Sequence, residues 1–185
     1  MPPERLHFTG DDEANALLAA EPLALLIGFA LDQQVTVQKA FSSPLELKRR
    51  VGGRLDAAQL AGMDASELET VFREKPALHR FPGAMAARVQ ELCRAIVSDY
   101  GGDAAQVWED ARDGAELRTR LEGLPGFGPM KVKSLGAVLA KRFEVPAARE
   151  LAPNHPTLGD VDSPEALERY QSAKRAHKAK LKAAG

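Results

Sequence analysis

Apolar residues recur through most of this chain at intervals of three and four, the period that lines one face of an α-helix. Val132, Leu135, Gly136 and Leu139 form one such stripe, and Met85, Val89, Leu92, Ile96 and Val97 form another. The pattern predicts helices at about 12–20, 22–32, 35–41, 44–51, 56–62, 65–74, 84–99, 104–111, 115–121, 129–143 and 164–182. Start signals support several of them. Asp64 with Glu67 has the spacing of a capping box. Ser43-Pro44 and Ser163-Pro164 each read as an N-cap followed by proline in the first turn. Pro22 opens the apolar run Leu23 to Leu31. Gly52-Gly53, Pro82-Gly83 and Gly101-Gly102 read as breaks. Residues 144–162 contain Pro146, Pro153 and Pro156 without a period and read as a long loop. Alternating β-branched runs are absent, so the expected fold class is all-α.

One junction stands apart. Leu124-Pro125-Gly126-Phe127-Gly128-Pro129-Met130-Lys131 lies between two helical patterns and reads as a tight hairpin. Glycine accepts a positive φ and lets a foreign backbone approach closely. Pro129 suits the first turn of the following helix. The free N–H groups of that turn, with the positive end of the helix dipole, suit an anion such as a nucleic-acid phosphate. No side chain there is placed to read a base, so the signal is for backbone grip. The alternative is a plain helix–helix turn with a glycine corner.

This stretch resembles the helix-hairpin-helix of base-excision DNA glycosylases related to endonuclease III, the HhH-GPD family. Leu124, Pro125, Gly126 and Gly128 match its Leu-Pro-Gly-x-Gly. Leu25 to Thr36, ending Asp32-Gln33-Gln34-Val35-Thr36, is similar to the family's early helix and its Gln-x-Thr-like end. The run Gly83 to Tyr100 falls between the two, as in the family. The resemblance covers roughly residues 22–143. It implies two helical lobes around a cleft for duplex DNA, and excision of a damaged or mismatched base.

The resemblance also distributes roles. Gln34 aligns with the glutamine that enters the duplex. Leu124, Gly126, Phe127, Gly128, Met130, Lys131 and Lys133 fall on the DNA-facing hairpin, and the two lysines would face phosphate or solvent. The family's lysine nucleophile corresponds to Met130, which has no amine. That implies a monofunctional hydrolase with weak or no lyase activity at abasic sites. The family's aspartate, usually in a Val-Asp-x-His-like turn after the hairpin helix, has no counterpart in Val145 to Glu150. Asp160, Asp162 and Asp32 remain as catalytic candidates, with Glu150 behind them. Asp162 could equally stabilise the helix start at Ser163-Pro164. A noncatalytic protein that binds DNA damage, and a helical protein-interaction module, stay open as alternatives.

Composition refines this picture. Cys93, the single cysteine, reads as a buried apolar residue, and one cysteine cannot supply a four-thiolate iron–sulfur cluster. The expected cofactor set is therefore empty, apart from a monovalent cation that could sit at the hairpin. His7, His79, His155 and His177 lack metal-ligand spacing. His79 and Arg80 could contact phosphate or the opposite strand, a loop histidine being more often a solvated or capping residue, and Trp108 reads as core. The 25 basic and 26 acidic residues give a net charge of −1. Lys174, Arg175, Lys178, Lys180 and Lys182 lie after Tyr170 with no acid, which leaves 20 basic against 26 acidic, −6, for residues 1–169. The expected domains are a helical body at 1–163, with its hairpin at 115–143, and a basic helix or tail at 164–185. Met1 to Gly10 is polar and no apolar run is long enough to cross a bilayer. The expectation is a cytoplasmic monomer, nucleoid-associated in a bacterium, whose partner is double-stranded DNA and not a membrane.

Overall fold

A computed structural model describes residues 2–185; Met1, the start of the polar amino-terminal stretch, lies outside them. The described residues contain ten α-helices and no strand. The helices are α1 (Asp12–Ala20), α2 (Pro22–Leu31), α3 (Val37–Arg50), α4 (Ala57–Gly62), α5 (Ala65–Arg73), α6 (Pro82–Tyr100), α7 (Gln106–Glu109), α8 (Gly114–Glu122), α9 (Pro129–Lys141) and α10 (Pro164–Ala184). Side chains of Asp11, Thr36, Asp56, Asp64, Asp113 and Ser163 accept first-turn N–H groups, so six of the starts are fixed by local chemistry.

The helices pack in two groups. Helices α1, α3 and α6 pack on α2, which is apolar on every side and buried almost throughout, and α4 and α5 pack on α6. Gly28 lets the Phe41 ring lie directly on α2: a Cβ there would sit 2.8 Å from Phe41 Cε1. Phe41 in turn makes edge contacts with Phe8 and Phe29 at centroid distances of 4.9 and 5.0 Å. The second group is built around α9, with α8 and two 3₁₀ turns, Pro146–Leu151 and Leu158–Asp160, against it. The core is continuous between the groups, which meet where the end of α2 faces the start of α9.

Three sequence expectations change. Ser43-Pro44 does not begin a helix: α3 runs through it, with both residues buried. The Ser43 hydroxyl lies 2.7 Å from both the Lys39 and the Leu78 carbonyls, which ties this part of α3 to the neighbouring loop. Pro82-Gly83 is the first turn of α6 rather than a break, because proline fits N1. Residues 144–162 are no free loop. Ala148, Leu151, Leu158 and Val161 are buried against α9, where Gly136 makes room for Leu151. Trp108 and Cys93 are core residues, as expected, and burial pushes the Cys93 thiol up to about 12.

Candidate active site at the hairpin

The hairpin is a β-turn with proline second and glycine third. Phe127 N–H donates to the Leu124 carbonyl at 3.1 Å, and Gly126 adopts φ +83°. That is the signature of a type II turn, whose third position requires positive φ. Leu124 and Phe127 are buried and anchor the turn from beneath. Their side chains therefore face the core and not a ligand, a correction to the DNA-facing role the resemblance gave them. Gly126, Gly128, Met130 and Lys133 are exposed, and Met130 is 85 % exposed. Gly128 is extended, with open space where a side chain would begin, and no side chain caps α9. The first N–H groups of α9 thus face outward without a side-chain partner.

Lys131 corrects a second expectation. It turns inward, and its ammonium donates to the Ala30 carbonyl at 3.0 Å and to Gln33 Oε1 at 3.4 Å. This contact caps the carboxyl end of α2, where the dipole favours a cation. His79 caps the same end from the other side. Its Nδ1 accepts Phe81 N–H at 2.9 Å, which makes Nε2 the protonated nitrogen. Nε2–H faces the carbonyls of Leu31 and Gln33, each at 3.0 Å. Burial, the largest influence, lowers the His79 pKa, and the ring is only 2 % exposed. His79 is a neutral clamp, not a phosphate contact. Its loop is held to α3 by Arg50, which donates to the carbonyls of Val71, Glu74 and Pro76, and by Lys39, which donates to that of Ala77. Arg80 remains on the surface, its guanidinium 5.3 Å from the ring of half-exposed Phe81.

These clamps fix the segment that carries Asp32. Asp32 is the C-cap of α2, and its N–H donates to the Phe29 carbonyl at 3.2 Å. Its carboxyl is largely shielded and has no hydrogen bond or ion pair among the described residues. Burial raises its pKa, while Lys174 and then Lys131 pull it back by charge. Gln34, two residues on, is exposed at φ +58°, a left-handed conformation that non-glycine residues adopt rarely. The turn thus presents Gln34 outward beside the half-buried acid, and such strain clusters at functional sites.

Sequence reasoning missed the contribution of α10. Its first turns enter the core through Ala166 and Leu167. Gln171 and Gln38 exchange two amide hydrogen bonds at 2.7 and 2.9 Å, docking α10 on α3. Tyr170 is thereby half-buried; its pKa is raised by burial first and then by the charge of Asp32. The Lys174 ammonium lies 5.7 Å from the Tyr170 ring centre. The only sequence signal was the four-residue spacing of Tyr170 and Lys174, hidden within a basic tail.

The other acids lie elsewhere. Asp160 Oδ1 pairs with Lys141 at 2.6 Å, and Oδ2 accepts Thr157 N–H at 2.8 Å in a capping box. Lys141 ends α9, about 18 Å along the helix from Pro129 at 1.5 Å per residue. Asp162 is exposed immediately before the Ser163 N-cap. Glu150 packs against Gly114. Of the four candidate carboxylates, the fold brings Asp32 alone to the hairpin. Among the described residues no three His, Cys, Asp or Glu gather as a metal site, and buried Cys93 does not fit a thiolate cluster.

An all-helical chain in two packed groups, with a glycine hairpin facing the end of an early helix, defines a helix-hairpin-helix protein. Residues 27–184 match the family model described as HhH-GPD superfamily base excision DNA repair protein. The chain belongs to that family. No curated protein and no solved structure matches it.

Proposed function

We propose that this chain is a monofunctional DNA N-glycosylase with Asp32 as its catalytic carboxylate. The observation that carries the reading is the shielded, unpaired Asp32 carboxyl beside the hairpin helix. A glycosylase must stabilise positive charge on the sugar as the C1′–N bond breaks. A carboxylate held in a poorly solvated site does this more strongly than one in water. Water then bonds to C1′ as its proton passes to Asp32. The departing base leaves with the bonding electrons and takes up a proton. Gln34, displayed from its left-handed turn, fills the gap left by the flipped base.

Met130 leaves the hairpin without the amine that would attack the sugar, and the Lys131 ammonium is already engaged by Ala30 and Gln33. Duplexes containing uracil, alkylated, oxidised or mismatched bases, followed by alkali, should reveal abasic sites from at least one substrate. Strand cleavage without alkali should be absent. Tight binding to abasic duplex with no release of any base would instead identify a noncatalytic damage-binding protein. Absence of salt-sensitive DNA binding would favour a protein-interaction module.

A further inference from the structure

We propose that Arg88 is a phosphate ligand of the DNA-binding surface, so that the hairpin grips a nucleic-acid backbone with a side chain from α6 as well as with its own N–H groups. The inference rests on the DNA-binding reading above. Gly126 is where the two elements meet. A Cβ at this glycine would collide with the Arg88 guanidinium and would lie 2.9 Å from its Cδ and 3.1 Å from its Cζ. The missing side chain at 126 therefore serves two ends: it permits the turn's φ of +83°, and it seats Arg88 against the exposed face of the hairpin.

Arg88 is half-buried and has no hydrogen bond or ion pair among the described residues. By contrast, Arg49, Arg50, Arg73 and Arg120 all meet carboxylates or carbonyls. Arg88 acts by charge on Lys131, which has the same sign. Asp32 offsets the Lys131 charge, whereas the half-buried Arg88 guanidinium meets no acid among the described residues and is left to an anion from outside. A guanidinium offers paired donors that match the oxygens of a phosphodiester.

Binding of a fluorescent abasic-site duplex, titrated over a range of KCl concentrations, tests the assignment. Arg88→Ala should weaken binding about fivefold to tenfold at low salt, and the slope of log K against log salt should fall by about one phosphate contact. Arg88→Lys should retain the slope and lose only part of the affinity. Unchanged affinity and slope in Arg88→Ala, at an unchanged melting temperature, would overturn the proposal. If that variant does not fold, an Arg88→Gln variant with the wild-type slope would overturn it equally. Polyglutamate competing as well as DNA, in an Arg88-dependent manner, would assign the residue to an acidic peptide instead. Wild-type protein that binds no DNA would reject both this assignment and the function on which it rests.

Discussion

Asp32 and His79 show how single groups are set against their own charge. Burial raises the Asp32 pKa, so its ionised form at neutral pH is held at a cost to folding. Stability from this group is complete below its unfolded value of 3.8 and is lost as pH rises through the folded value. Asp32→Asn should therefore abolish excision, by at least about a hundredfold in single-turnover rate, while the melting temperature at pH 7 stays level or rises. A fall in both would make Asp32 a structural residue. His79 has the opposite linkage. Its folded pKa lies below 6.5, so its stabilisation is present above pH 6.5 and lost as pH falls through the folded value. A proton on Nδ1 would face Phe81 N–H with no acceptor between them. Urea denaturation at pH 7.5 and 5 should show this loss in wild type and a smaller one in His79→Ala. That variant should also lose about 2 kcal/mol at pH 7.5, since it leaves buried carbonyls unpaired.

The helix ends determine how elements meet. Helix α2 terminates under caps from two distant segments, Lys131 of α9 and the His79 loop. This is why α2 and the hairpin helix hold a fixed relation. Helix α10 is added to them by the Gln38–Gln171 amide pair. A double-mutant cycle with Gln38→Ala and Gln171→Ala should give a coupling of about 1 kcal/mol in denaturation experiments. Both single variants should also lower excision, because α10 carries Tyr170 and Lys174 to Asp32. Additive stability effects with unchanged excision would separate α10 from the site. Periodicity located nearly all of these elements because their apolar faces and caps are local. It divided α3 at Pro44 because proline usually marks a helix start. Here burial and the Ser43 hydrogen bonds keep the helix continuous through it.

Across the whole molecule, charge separates the grip from the tail. Helix α10 is exposed from residue 172 onward, where its four last cations, Arg175, Lys178, Lys180 and Lys182, meet no acid among the described residues. Removal of residues 175–185 should leave the melting temperature unchanged and should weaken binding to undamaged duplex, with a shallower salt dependence. A large loss of stability would show that the tail packs on the body. The sequence by itself determined the helical class, most helix positions, the hairpin turn and the absence of an amine at Met130. These depend on residue period, caps and φ preferences, which act within a few neighbours. It left the acid open among Asp32, Asp160, Asp162 and Glu150, aimed Lys131 at phosphate or solvent, and left His79 open between a strand contact and a solvated or capping residue. Those choices depend on which distant segments come together in space. Tertiary structure spends Asp160 on Lys141, spends Lys131 and His79 on the end of α2, and leaves Asp32 shielded and unpaired beside the hairpin.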